Sequence, residues 1–74
     1  MFIKLGRKAR VNVDEISEYN IYYSEGYGKW YLTIHFRNSK HSSTFTCDDE
    51  HEAYEMLAKL DAAVGLSSSI LEED

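Results

Sequence analysis

Hydrophobic and polar positions alternate over much of the first 46 residues, and this two-residue period is typical of half-buried β-strands. The clearest alternation covers residues 29–37, where every second side chain from Trp30 to Phe36 is apolar and aromatic or β-branched residues dominate. Shorter stretches repeat the pattern and bring the predicted sheet to four or five strands. Those stretches are residues 2–5, 10–13, 18–23 and 41–46.

Turn signals separate the predicted strands. Gly6 interrupts the first apolar stretch, and segment 24–28 contains Gly26 and Gly28, which can supply the positive φ angles that hairpin loops need. Between the second and third strands, Asp14 predicts a bend, because an Asp side chain can hydrogen-bond to the backbone two residues further along. The first half of the chain is therefore predicted to form hairpins joined by short loops.

The hydrophobic period changes to three or four residues in the last third of the chain, which indicates an amphipathic helix. Asp49 and Glu52 have the spacing of a capping box, and Gly65 is predicted to end the helix in a left-handed conformation. These signals place the helix at about residues 49–64. Its predicted apolar stripe consists of Ala53, Met56, Leu57, Leu60 and Val64.

The predicted fold class is α+β, with a single antiparallel sheet of four to five strands packed on one C-terminal helix. Residues 1–65 form one domain in this interpretation, and residues 66–74 form an acidic tail that is predicted to be mobile. One helix can cover only one sheet face, so the other face is expected to be open to solvent. The side chains predicted to face the helix are Ile3, Leu5, Val11, Val13, Ile16, Tyr19, Ile21, Tyr23, Trp30, Leu32, Ile34, Phe36 and Phe45.

The composition is that of a small globular protein, with 43% hydrophobic and 28% charged residues among 74. Cys47 is the single cysteine, so an internal disulfide is excluded and a reducing compartment fits. No apolar run approaches the roughly 20 residues of a membrane span, and the N-terminal residues lack signal-peptide features. We therefore expect Met1 to be the true start of a cytoplasmic protein with no membrane role.

Charge is unevenly distributed along the chain, whose net charge is -5. Residues 1–40 carry seven basic and four acidic side chains, whereas residues 41–74 carry one basic and nine acidic side chains. The acidic helix and tail could imitate nucleic-acid phosphates and occupy a basic groove, or could simply cap the helix and solubilise the chain. The acidic surface of the first interpretation comprises Glu52, Glu55, Asp61, Glu72 and Glu73.

The open sheet face is predicted to display Tyr22, Tyr31 and His35, and the hairpin loop to display Tyr27. Tyrosine is common at protein interfaces because its ring is apolar and its hydroxyl is polar. These four residues form the candidate partner-binding site, for another protein or for a second copy of the chain as a homodimer. Plain sheet surface and base stacking on nucleic acid are the alternatives, although no RNA-binding motif accompanies the aromatic residues.

The sequence offers little chemistry for catalysis or metal binding. His35, His41, His51 and Cys47 lack the spacing of a metal site or of a cysteine–histidine catalytic pair. The glycine-rich loop 24–28 precedes a predicted strand, whereas phosphate-binding loops precede a helix. We therefore expect no cofactor, no metal and no enzymatic activity.

Several segments carry a family resemblance: Met1–Leu5, Val11–Ile16, Phe45 and Asp48–Leu57. With these segments, the layout of strands and helix resembles a group of very short bacterial and phage proteins and is similar to that of small flagellar-operon proteins. The resemblance spans roughly residues 1–64 and implies the fold and a bacterial or phage origin. It implies no functional residue, and the tyrosine-rich hairpin lies outside its pattern.

Three functional hypotheses follow from these surfaces. The first is a small non-enzymatic protein-interaction or regulatory module that uses the tyrosine-rich surface. The second is a phage or mobile-element inhibitor of a host nucleic-acid enzyme, similar to anti-CRISPR proteins, that uses the acidic helix and tail. The third is nucleic-acid binding by the aromatic sheet face, which the few basic residues around that face do not favour.

Overall fold

A computed structural model describes residues 1–68 and shows an α+β protein, as the sequence predicts. Within this range it contains two antiparallel sheets, one turn of 3-10 helix and one α-helix. The elements are β1 (Phe2–Leu5), β2 (Ala9–Asn12), the 3-10 turn (Val13–Glu15), β3 (Ile16–Ser24), β4 (Lys29–Phe36), β5 (Ser42–Cys47) and α1 (Glu50–Ser68).

β1 and β2 form an antiparallel hairpin that is a separate two-stranded sheet. The prediction of a single sheet of four to five strands is therefore not confirmed. The 3-10 turn explains the difference, because it ends the β2 ladder and redirects the chain before β3 begins. The Asn12 side chain caps this turn by accepting a 3.2 Å bond from the Asp14 amide, whereas the sequence pattern predicts a bend held by the Asp14 side chain.

β3, β4 and β5 form the second sheet and lie side by side in that order. The turn between β3 and β4 contains Gly28 with a φ of 66°, a conformation that strongly favours glycine. Ser17 forms a β-bulge in β3, where the register with β4 shifts by one residue. Elsewhere the residues of the three strands lie in regular rows across the sheet.

α1 extends four residues beyond its predicted end at residue 64. The prediction that Gly65 ends the helix is wrong, because Gly65 does not adopt a positive φ and the helix continues to Ser68. Glycine within a helix costs only about 1 kcal/mol relative to alanine, a penalty that the rest of a long helix can outweigh. Residues 66–68 are therefore helical, and the remainder of the predicted tail lies outside the described residues.

The core forms where α1 and the β1–β2 hairpin pack with the three-stranded sheet. Leu5 and Val11 come from the hairpin, Leu32 and Ile34 from the sheet, and Leu60 from α1. Most of the predicted helix-facing set therefore contributes to this core, directly or at its margin. The described apolar residues that are buried are Leu5, Val11, Val13, Ile16, Leu32, Ile34, Cys47, Ala53, Leu60 and Ala63.

Candidate functional site

The outer face of the three-stranded sheet, opposite the core, carries a pair of stacked tyrosines. Tyr22 of β3 pairs with Tyr31 of β4, which in turn pairs with Thr46 of β5. The two tyrosine rings stack with centroids 5.4 Å apart and planes inclined by 26°. Tyr22 is an exposed side chain. The structure thus brings two of the four predicted interface residues together on an open face.

His35 lies at the other end of the same face. His35 pairs with Glu18 of β3 and Ser42 of β5. On β4 it is four residues from Tyr31, with Thr33 between them on the same face. Four residues along a strand correspond to about 13 Å, so His35 does not contact the tyrosine pair. The structure therefore does not unite the four predicted interface residues into one site.

Tyr27 projects from the turn between β3 and β4 and is 78% exposed. Two hydrogen bonds to Ser24 order the turn: the Gly28 amide donates to the Ser24 carbonyl over 2.7 Å, and the Tyr27 amide donates to the Ser24 hydroxyl over 3.4 Å. Tyr27 is thus presented by an ordered turn at the end of the sheet that carries Tyr22 and Tyr31.

A second aromatic group lies on the inner face at the same end, and the sequence pattern misses it. The ring centroids of Tyr23 and Trp30 are 5.5 Å apart, and those of Trp30 and Tyr54 are 6.2 Å apart. Tyr23 and Tyr54 are 49% and 53% exposed. Tyr23 therefore lies on the predicted face of the sheet. The prediction that it is buried in the core is wrong, because half of its surface is exposed.

The position of α1 explains why this end stays exposed. The helix begins just after β5, whose last residue, Cys47, pairs with Trp30, and it then runs back toward Tyr19. The β3–β4 turn therefore extends past the start of the helix, so α1 does not cover this end of the sheet. Strand alternation identifies the inner face but not how far along it a helix reaches. We call this end of the sheet the aromatic end. Its aromatic residues are Tyr22, Tyr23, Tyr27 and Tyr54, which are exposed, and Trp30 and Tyr31, which are half-buried.

Acidic residues at the start of α1 cap the helix. Asp49 Oδ1 accepts a 2.9 Å bond from the Glu52 amide, and Glu52 Oε1 accepts a 2.7 Å bond from the Asp48 amide. The capping box predicted from Asp49 and Glu52 is therefore confirmed. The Glu52 side chain bonds to the amide of Asp48, which precedes the capping residue Asp49. Glu52, which the sequence places on the acidic surface, has a structural role here.

Asp61 joins the helix to the sheet. Its Oδ1 accepts a 2.6 Å bond from the Tyr19 hydroxyl of β3. Loss of hydration, followed by the hydrogen bond and the charge of Asp61, raises the pKa of Tyr19 to about 12. Like Glu52, Asp61 therefore contributes to the fold rather than lying free on the surface.

The remaining members of the predicted acidic surface are placed differently. Glu55 Oε2 lies 3.4 Å from Nε2 of His51, one turn earlier on α1, and both side chains are exposed. Glu72 and Glu73 lie outside the described residues. The described members of the acidic surface thus take three roles: Glu52 caps the helix, Asp61 accepts a hydrogen bond from the sheet, and Glu55 lies beside His51.

Cys47 is fully buried, and its Sγ lies 3.6 Å from the Met56 sulfur. Burial, reinforced by the negative charges of Glu52, Asp48 and Asp49, raises the pKa of the Cys47 thiol. This environment disfavours the thiolate that nucleophilic or metal chemistry would need. Within residues 1–68, no three His, Cys, Asp or Glu side chains converge as metal ligands.

An open groove of about 890 Å³ lies between α1, β5 and the tip of the β1–β2 hairpin. Its walls combine apolar and charged side chains of both signs, without a cluster of one kind. Representative lining residues are Leu5, Arg7, Phe45, Glu52, Met56 and Lys59.

Comparison with known proteins assigns no relationship to this chain. No family model matches it, and neither does any curated protein or solved structure. No helix in the described part of the chain combines the length and apolar composition that a membrane span requires.

Proposed function

We propose that this chain is a small non-enzymatic protein-interaction module, of the bacterial or phage origin that its layout suggests, and that it binds its partner through the aromatic end. The observation that carries the proposal is the gathering of six aromatic side chains from β3, β4, their turn and α1 at one end of the molecule. The partner on this proposal is another protein.

The exposure of these rings supports the proposal. Tyr22, Tyr23, Tyr27 and Tyr54 are exposed by 46%, 49%, 78% and 53%. Single exposed aromatic residues are ordinary on protein surfaces. Here two groups of contacting rings lie on the two faces of the same sheet end, and exposed aromatic groups of this kind are typical of sites where proteins meet. Tyrosine and tryptophan also dominate the binding energy of many interfaces, because each ring buries a large area and its polar atom finds a partner.

The aromatic end is also largely ordered before a partner binds. Tyr22 is stacked on Tyr31, and Trp30 is held between Tyr23 and Tyr54. Two bonds to Ser24 fix the turn beneath Tyr27. Side chains that are already restrained lose less conformational entropy on binding, at a saving of about 0.5–1.5 kcal/mol for each.

The charges near the aromatic end favour a protein over a nucleic acid. At this end the β3–β4 hairpin carries one basic residue, Lys29 at the start of β4, and one acidic residue, Glu25 in the turn. Glu50 begins α1 one helical turn before Tyr54, and Asp48 and Asp49 directly precede it. Phosphate backbones are bound chiefly by arrays of lysine and arginine, and this arrangement would repel them.

Affinity capture from the source cells, followed by quantitative mass spectrometry, tests the proposal. A Tyr22→Ala and Tyr31→Ala double variant should stay folded and lose the captured protein. Phe2→Ala is the matched control, because Phe2 is 68% exposed but belongs to β1 and lies outside the aromatic end. Capture of the same protein at the same level by the wild type, the double variant and the Phe2→Ala control would overturn the proposal.

A further inference from the structure

The free edge of β5 differs from every other strand edge in the described chain. β5 pairs with β4 and with no other described strand, so one of its edges has unpaired backbone groups. Exposed strand edges attract further strands, and natural proteins usually block them with charges, prolines or bulges.

The other described strands all carry such protection. β1 contains Lys4, β2 contains Arg10 and β4 is internal to its sheet. β3, at the opposite edge of the sheet, has both the bulge at Ser17 and the charged Glu18. β5 has the sequence Ser-Ser-Thr-Phe-Thr-Cys, with no charge, proline or bulge. It is the one unprotected edge in the described chain.

We infer that a second copy of the chain pairs with this edge, β5 against β5 in antiparallel orientation, so that the two three-stranded sheets join into one sheet of six strands. Antiparallel pairing relates the copies by a two-fold axis, and the same patch then serves both partners. Beside Phe45 and Thr46 of this strand lies a groove, with the tip of the β1–β2 hairpin on its far side.

Charge at the two ends of β5 favours a second copy as the occupant. Lys40 and His41 precede the strand, Asp48 and Asp49 follow it, and all four residues are exposed. Antiparallel pairing about the middle of β5 places the basic segment of each copy opposite the acidic segment of the other. Parallel pairing would instead place like segments side by side and repel.

Phe45 supplies an apolar contribution to the same interface. It lies near the middle of β5, on the face that borders the groove, and is half-buried in the single chain. Pairing about the middle of β5 brings the Phe45 side chains of the two copies close together on one face of the joined sheet. Their remaining exposed surface would then be covered.

Molar mass measured by light scattering after gel filtration, over a range of protein concentrations, tests the inference. The wild-type chain should approach twice its own mass as the concentration rises. Thr44→Lys should remain monomeric, because it places two like charges near the two-fold axis. Asn20→Lys is the matched control: it lies in the same row on the opposite edge strand and should dimerise like the wild type.

Exchange of charges tests the orientation of the strands. Lys40→Glu and Asp48→Lys should each weaken the dimer, because each places like charges together at both ends of the interface. An equimolar mixture of these two variants should recover a dimer. In the mixed dimer, position 40 of each copy faces a side chain of opposite charge at position 48 of the other. Circular dichroism confirms that each variant is folded.

Any of three results would overturn the inference. The wild-type chain could stay monomeric, the Thr44→Lys variant could dimerise normally, or the mixture of Lys40→Glu and Asp48→Lys chains could form no dimer. The Tyr22→Ala and Tyr31→Ala double variant separates this inference from the proposed function. It should dimerise normally while losing its partner protein, and loss of the dimer in this variant would place the self-contact at the aromatic end instead.

Discussion

At one end of the three-stranded sheet, Ile16 and Ile34 are buried beneath α1 and the β1–β2 hairpin, whereas at the other end Tyr23, on the same face of the sheet, remains exposed. Both ends have alternating, strongly β-forming sequences. The difference between them comes from which elements lie above the sheet. Apolar side chains at the covered end stabilise the fold, and the exposed ones at the uncovered end form the surface for which we propose partner binding.

The largest expected effect is the loss of a core side chain at the covered end. Leu32 has no exposed surface, so Leu32→Ala should lower the free energy of unfolding by about 2–5 kcal/mol. Tyr23→Ala, on the same face of the sheet but at the uncovered end, should lower it by only about 1 kcal/mol through loss of the Trp30 contact. Urea denaturation measures both, and equal losses would refute the distinction between the ends.

A smaller effect is expected where β3 is joined to the helix. Tyr19→Phe removes the bond to Asp61 and should lower the free energy of unfolding by about 1 kcal/mol at neutral pH. Tyr27→Phe removes an exposed hydroxyl at the uncovered end and should leave stability unchanged. A similar response of the two variants to urea would contradict the assigned role of Tyr19.

The same contact predicts a response to alkaline pH. The pKa of Tyr19 is raised from 10.0 to about 12 in the folded chain, so the folded state holds this proton more tightly than the unfolded state does. The stabilisation is complete below about pH 10 and is lost as the pH rises toward 12. Thermal unfolding at several alkaline pH values should show a steeper decline for the wild type than for Tyr19→Phe.

Two glycines should respond in opposite directions to alanine substitution. Gly65 lies within α1 with no atom near the position of a new Cβ, so Gly65→Ala should raise stability by roughly 0.5–1 kcal/mol. Gly28→Ala, in the turn of the aromatic end, should lower stability by at least about 1 kcal/mol because its φ is 66°. Thermal unfolding of both variants checks the signs.

The smallest effect on stability is expected at the tip of the aromatic end. Tyr27→Ala should change the free energy of unfolding by no more than about 0.5 kcal/mol, because the side chain is exposed and the turn is held by backbone groups and Ser24. The same substitution should weaken partner binding. A large loss of stability would show that Tyr27 serves the fold.

Much of the secondary structure follows from local patterns. The alternation around Trp30 predicts β4, and the spacing of Asp49 and Glu52 predicts both the start of α1 and its capping bonds. These signals are reliable because each depends on residues that are neighbours in sequence. The α+β class follows from the same information.

Apart from the helix end at Gly65, the errors concern relationships between distant parts of the chain. Gly65 resembles a helix stop, but α1 continues through it. Tyr23 follows the inward alternation of β3, yet the helix leaves it uncovered. The separation of the β1–β2 hairpin, and the meeting of Trp30 with Tyr54, likewise depend on how elements pack, which periodicity does not specify.

The most direct test of the central claim is site-specific photo-crosslinking in the source cells. A photoreactive phenylalanine analogue is introduced in place of Tyr27 at the aromatic end or, as the control, in place of the exposed Phe2 of β1. We predict that the probe at position 27 forms a covalent adduct with one distinct partner protein and that the probe at position 2 does not. The same adducts from both positions, or none from position 27, would contradict the assignment of the aromatic end as the partner-binding surface.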